Sequence, residues 1–337
     1  MGPVNSLIGT VARIAAATAF VAMIALASAP SEAYAAACAL SIATCGCTIT
    51  APGTYKLTGT SILSTGTCID IAASHVTLDG RDVELSGPGI ASATFGVYVE
   101  PAANKSFLEN IVATNFGVGI GMDGRNAFLY QTYTEGDKKG IVINGANAYL
   151  LEVSSTFNQG VGIQVNAAAE GFQMNLGEAR DNTGAGIKLN GVKGAFLDGP
   201  DVSFNGTFGI WLQSASMNVI DGFDAEDNGL AGVYLGCNPT GPNSTACPPG
   251  VPSSNGNSIQ GSLYGNVVGV VSNGGSQHFG VAVGLGNQGN RFIGIEGSGN
   301  LNEDALDENP NCGNNRWLSD LFTSTSPPPN TTFFCLN

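Results

Sequence analysis

Two histidines, two tryptophans and twelve lysines plus arginines are all that 337 residues contain, and only 11% of the chain is charged. So little histidine leaves scant material for imidazole metal centres or a histidine-relayed nucleophile. Acidic residues number 26, giving a net charge of −14. That sign excludes nucleic acid and an anionic membrane surface as natural partners. Past residue 30 no apolar run approaches the ~20 residues of a membrane span. A helix-rich enzyme is excluded by 48 glycines, each costing roughly 1 kcal/mol in a helix interior. Hydrophobic residues at 43% are nevertheless enough for a core, so the chain is no disordered acidic tail.

The N-terminus reads as an export signal. Arg13 is the only charge ahead of an apolar run from Ile14 to Ala29, and Ala33-Tyr34-Ala35 fits an A-x-A cleavage site. Residues 1–35 are therefore assigned to a signal peptide, which makes the mature protein secreted or periplasmic. Its removal takes away Arg13 and Glu32 and leaves the net charge at −14. A lipid anchor on Cys38 is the competing reading; Ala35 stands where such signals carry leucine, and the cysteine count is even.

The eight cysteines are Cys38, Cys45, Cys47, Cys68, Cys237, Cys247, Cys312 and Cys335. An even number in an exported chain indicates disulfides. The expected pairs are Cys237–Cys247, Cys312–Cys335 and two bridges among the first four. Cys45-Gly46-Cys47 has the wrong spacing for a zinc knuckle.

Between these ends the chain repeats. Gly-[Val/Ile]-x-[Val/Ile/Leu] occurs at Gly96, Gly117, Gly140, Gly162, Gly186, Gly209 and Gly232, at intervals of 21–24 residues, with Cys68-Ile-Asp-Ile71 before and Gly280-Val-Ala-Val283 after. A period of 20–25 residues marks a solenoid. The second and fourth motif positions are always aliphatic and point inward with strand period two. About 23 residues hold three short strands and three turns. A second strand is expected around Leu129, Leu151, Met174, Leu197, Ile220 and Ile259. Asn158, Asn182, Asn205 and Asn228 each precede the next glycine by four residues and are expected to form a corner ladder, the Asn and the Gly both supplying left-handed backbone.

With that glycine-aliphatic strand and asparagine corner, the chain resembles the right-handed parallel β-helix proteins of the pectate-lyase-like superfold over about residues 60–300. The resemblance implies an all-β, single-stranded right-handed parallel β-helix solenoid. Residues 36–67 are expected to cap one end, 68–300 to form the helix with a disulfide-closed insertion at 237–255, and 301–337 to cap the other end.

Two outer surfaces attract attention. On the first-strand face, Trp211 and Tyr234 share a column, with Lys188, Gln164, Gln213 and Asn190 around them. An aromatic platform flanked by amides suits a sugar ring; plain strand packing of aromatics is the weightier explanation. At the second strand, Asp198-Gly-Pro-Asp201 and Asp221-Gly-Phe-Asp224 lie on adjacent coils, with Glu178 one coil earlier. Asp198, Asp201, Asp221 and Asp224 are candidate calcium ligands. Asp201, Asp224 and Glu178 are candidate catalytic carboxylates, and Lys188 is a candidate base if desolvated. The bland alternative is a solvated Asp-Gly turn.

The catalytic motifs of the superfold's enzymes are missing. No acid precedes the repeat glycines, where polygalacturonase-like members carry Asp, and there is no Gly-His-Gly, Trp-x-Asp-His or Asp-Pro-His. The sequence thus points first to polysaccharide binding without an evident catalytic motif. A lyase or hydrolase using the acidic cluster and a structural envelope module are the alternatives. The charge favours a neutral glycan over an anionic one.

Overall fold

A computed structural model describes residues 36–242, 247–260, 269–272, 277–322 and 325–326. Residues 1–35, expected to be a signal peptide, and Cys335, with its expected bridge to Cys312, lie outside the described residues. The described chain winds as a parallel β-helix with three faces per coil. Face one is a 13-stranded parallel sheet. Its successive members include Ile69–Ile71, Phe95–Val99, Val118–Met122, Ile141–Ile143, Ile163–Asn166, Ile187–Asn190, Phe208–Gln213, Ala231–Leu235 and Phe279–Val283. Face two runs through Val76–Asp79, Phe107–Glu109, Phe128–Tyr130, Tyr149–Leu151 and Val219–Asp221. Face three runs through Glu84–Ser86, Val112–Thr114, Tyr133–Glu135 and Ser154–Thr156. Faces two and three merge where the strands Gln173–Glu178 and Phe196–Asp201 run through the corner between them.

The aliphatic repeat positions stack as expected. Val97, Ile120, Ile141, Ile163, Ile187, Ile210 and Val233 are fully buried and follow one another in register. Each buried aliphatic side chain contributes about 1.5–3 kcal/mol. On face two, Leu150 is the buried residue of its strand and Leu151 points outward.

One register differs from the sequence reading. Ile120, not Val118, pairs with Val97, and Gly121 pairs with Tyr98. The repeat glycine of that coil is therefore Gly119 instead of Gly117, and Asp123 replaces Gly121 in the outer column beyond Tyr98. Segment 117–120 satisfies the motif, whereas Gly119-Ile-Gly-Met122 departs from it at the fourth position, so the pattern selects the register that the structure does not adopt.

The glycines and asparagines play different parts from those expected. None of Gly140, Gly162, Gly186 and Gly209 has positive φ, and neither do the ladder asparagines. The left-handed residues are those just before the asparagines: Phe157, Asp181, Phe204 and Asp227. The repeat glycines instead lack room. A Cβ on Gly209 would lie 2.6 Å from the Gly232 carbonyl oxygen and 3.0 Å from Asn228 Nδ2. The asparagines are buried, and each directs both its N–H and its Nδ2 at the Oδ1 of the next coil: Asn158 to Asn182 (3.0 and 2.9 Å), Asn182 to Asn205 (3.1 and 3.1 Å), Asn205 to Asn228 (3.0 and 3.1 Å). Gln277, Asn300 and Asp304 extend the row. Asp137 begins it, accepting from the Phe116 N–H at 2.6 Å and donating its own N–H to Asn158 Oδ1. A second ladder, Asn218–Asn257–Asn290–Asn315, was not anticipated.

The segments expected as caps continue the coils. Cys47–Ile49 pairs with Ile69–Ile71, Gly53–Leu57 with Val76–Asp79, and Glu303–Asp307 with Phe279–Val283. Disulfides Cys38–Cys47 and Cys45–Cys68 tie the first coils together, and Cys237–Cys247 closes the insertion. Cys312 is disulfide-bonded.

Candidate functional site

Face one carries an outward row of amides that ends on a carboxylate. Asn190 Nδ2 donates to Asn166 Oδ1 (3.3 Å), Asn166 to Asn144 (2.8 Å), and Asn144 to Asp123 Oδ1 (2.6 Å). Gln164 Nε2 donates into the same row at Asn166 Oδ1 (2.8 Å), and the Tyr98 hydroxyl donates to Asp123 Oδ2 (2.6 Å). Strand alternation produces this row, because residues two apart share a face and neighbouring coils lie about 4.8 Å apart. These side chains are half-buried, so their remaining hydrogen-bonding capacity faces solvent.

Lys188 stands in the adjacent column. Its Nζ lies 3.7 Å from the Trp211 ring centroid, a cation–π contact that holds the ammonium in place. Burial, and then the charge of Lys139, lowers its pKa to about 8. Neither lysine forms an ion pair among the described residues. Lys139 occupies the position before the repeat glycine Gly140, where no other coil carries a charge, and that break in the column is its signal in the sequence.

Trp211 and Tyr234 do share a column, as expected, but they form no open platform. Trp211 is 8% exposed and Tyr234 2%. They pack with Phe208, Ala185, Ala231 and Ala282 as a second apolar cluster on the outside of the sheet. Phe208 stacks on Tyr234 at 4.7 Å. The start of the insertion closes over them: Trp211 Nε1 donates to the Gly236 carbonyl at 2.7 Å, and Gln213 Nε2 reaches the Cys237 carbonyl. Burial raises the Tyr234 pKa to about 12.

At the corner onto face three, the expected acidic columns form. Asn175, Asp198 and Asp221 align, as do Glu178, Asp201 and Asp224. Arg180 Nη1 pairs with Asp201 at 3.2 Å and approaches Glu178 at 4.0 Å. Its guanidinium also lies over the Phe204 ring. Asp224 is pushed up to about 6, by burial first and then by Glu226 and Asp201. Asp201 and Asp224 thus sit one coil apart in unlike environments. The calcium arrangement is not brought together: among the described residues no group of three His, Cys, Asp or Glu side chains converges to hold a metal.

A third group was missed. Asp70, beside Tyr98 on the next coil, is raised to about 6 by burial and by its hydrogen bond to the Glu100 carboxyl. The misplaced register of Gly119 hid its continuation into Asp123. His75 is exposed, and the His278 ring lies against the Asn302 side chain and the Phe279 ring.

The stacked coils, the inward aliphatic columns and the amide ladders define the class as a parallel β-helix. The chain belongs to the family described as the right handed beta helix region, whose model matches residues 119–299. Among solved structures it is similar to the A-module of Azotobacter vinelandii mannuronan C-5 epimerase AlgE6, at 13% identity over 86% of this chain and 91% of that one, with a TM-score of 0.46. It is also similar to tailspike protein 2 from an Escherichia coli O157:H7 bacteriophage, at 12% identity over 83% of this chain and 41% of that one, with a TM-score of 0.51. A third is pectate lyase Pel9A, at 14% identity over 86% and 74%, with a TM-score of 0.38. At such identities the similarity is one of fold. No curated protein matches the sequence. No helix among the described residues is long and apolar enough to cross a membrane, and the disulfides fit an oxidising compartment.

Proposed function

We propose that the protein is exported by its N-terminal segment and binds a polysaccharide across the outside of face one. The observation that carries this reading is the run Asn190–Asn166–Asn144–Asp123 beside Lys188, which forms no ion pair among the described residues. Amide and carboxylate groups at a repeat of about 4.8 Å offer donors and acceptors to the hydroxyls of an extended glycan. Lys188, Gln164, Asn166 and Asn190 make the contacts. Trp211 acts beneath them by fixing the Lys188 ammonium, and Gln213 and Tyr234 hold the insertion that covers Trp211. The test is retention of the purified chain on immobilised polysaccharides. Lys188→Met and Asn166→Ala are each expected to weaken retention about tenfold, the loss of one or two hydrogen bonds involving charge. Full retention by both variants refutes this surface.

A second reading, hydrolysis at face three, is favoured by the contrast between Asp201, paired with Arg180, and Asp224, raised to about 6. One coil of separation is close to the ~5–5.5 Å between carboxyls of a retaining glycosidase. In that reading Asp224 is the acid and Asp201 the nucleophile. Asp224→Asn must then abolish any glycan cleavage the protein shows; cleavage by the variant at the parent rate removes the reading.

A further inference from the structure

Beside the amide row, at the start of the face-one strands, lies a cavity of about 330 Å³. Phe95, Val118 and Gly117 line it together with Ala91, Ser92 and Ala93 of the preceding turn and with Lys138 and Lys139; the Ser92 hydroxyl is engaged with the Gly89 carbonyl and Thr94 Oγ1. It adjoins the proposed glycan surface, because Phe95 stacks on Tyr98 at 4.6 Å and Tyr98 donates to Asp123, the last member of the amide row. We propose that this cavity is a subsite for one sugar unit of an acidic polysaccharide that carries a small apolar acyl substituent.

The chemistry of the lining selects among ligands. Its volume is at the lower end of ligand pockets, which run from roughly 300 to 1,000 Å³, so it suits one unit and not a chain. An unsubstituted neutral sugar can lay its C–H face on Phe95 but brings no counter-charge to Lys138 and Lys139 and no apolar group to Val118. A simple inorganic anion would use the lysines and none of the apolar wall. An acylated uronate uses both: the acyl group covers Phe95 and Val118, and the carboxylate meets Lys138 and Lys139. Neither of these lysines forms an ion pair among the described residues. In a chain of net charge −14, two adjacent cations without carboxylate partners make a local reversal of sign, against the whole-chain preference for a neutral ligand. Lys188 extends the cationic strip toward the amide row.

The inference rests on the polysaccharide reading of face one, and one experiment separates the two. The full chain is titrated with an O-acetylated polyuronate and with the same polymer after mild alkaline deacetylation. The acetylated form is expected to bind roughly fivefold to tenfold more tightly, the gain from burying one methyl-bearing group. Ala93 is exposed, so Ala93→Trp fills the cavity from outside without touching the core; Ala91→Trp does the same from the neighbouring position. Either variant is expected to abolish the preference and keep the affinity for the deacetylated polymer. Lys139→Met is expected to weaken both forms. Equal binding of the two polymers by the parent chain, or a preference that survives both tryptophan variants, overturns the subsite. If only a neutral glycan is retained, the subsite falls and the face-one reading stands; if no polysaccharide is retained, both fall.

Discussion

Asp137 shows how much a single side chain can reveal. It is fully buried at the head of the asparagine row, and burial raises its pKa to about 8. Its Oδ1 accepts the Phe116 N–H, whereas its buried Oδ2 has no partner. By the pattern of the row, Oδ2 stands where the following coils have Nδ2, a donor aimed at the next Oδ1. Only the protonated acid supplies a donor there. The pH dependence follows from the two pKa values. Below about pH 4 the carboxyl is protonated in both folded and unfolded chains. Between there and about pH 8 the folded chain keeps the proton while the unfolded chain has lost it, so ionisation favours unfolding and stability falls as pH rises. Above about pH 8 the loss is complete. Asp137→Asn is expected to melt higher than the parent at pH 8 and close to it at pH 4. Melting curves at the two pH values check this, and an unchanged gap refutes it.

At the scale of the element, the repeat glycine is a packing device. Gly209→Ala places a methyl group against the Gly232 and Val202 carbonyls and the Asn228 amide, at negative φ where backbone conformation is no obstacle. A loss of roughly 2–4 kcal/mol is expected in denaturant melts, the scale of overpacking with a disturbed buried hydrogen bond; a loss below 1 kcal/mol contradicts the steric account. The insertion is the second element with a testable role. Replacing Cys237 and Cys247 by alanine loosens the cover over Trp211, and with Trp317→Phe removing the other indole, emission is expected to shift to longer wavelength. An unshifted spectrum means the cover does not depend on the bridge. The columns were legible from sequence because Val97, Ile141, Ile187 and Ile210 repeat a strict inside–outside alternation. The register at Gly119 was not, because Gly117-Val-Gly-Ile120 fits the motif and Gly119-Ile-Gly-Met122 departs from it at its last position, and because both glycines are crowded, a Cβ on Gly117 meeting the Ser92 carbonyl and one on Gly119 meeting Asp137 and Thr134. The burial of Trp211 was not legible either, since its cover, at Gly236 and Cys237, follows no period.

For the whole molecule, stability is a sum over neighbouring coils. Interior coils such as those of Ile141–Ile143 and Ile187–Asn190 are paired on both sides. The first described strands, Ala36–Ala37 and Cys47–Ile49, are short and are tied to their surroundings by two disulfides, Cys38–Cys47 and Cys45–Cys68. Mild reduction is therefore expected to raise amide exchange over residues 36–71 while leaving 141–213 protected. Simultaneous loss of protection in both regions would show one cooperative unit.

The asparagine row has a direction: each rung gives hydrogen toward the C-terminal neighbour, and among the described bonds of the row the last donation runs from Asn300 to Asp304. A rung in the middle is therefore interchangeable with the one before it, while the two acidic ends are not. Copying the segment from Asn182 to Phe204 into the chain would add one self-consistent storey, with donors and acceptors still matched throughout. Length is thus the property this architecture can vary most cheaply by gene duplication, and the outer row of amides, to which the copied segment adds Asn190, would lengthen in step.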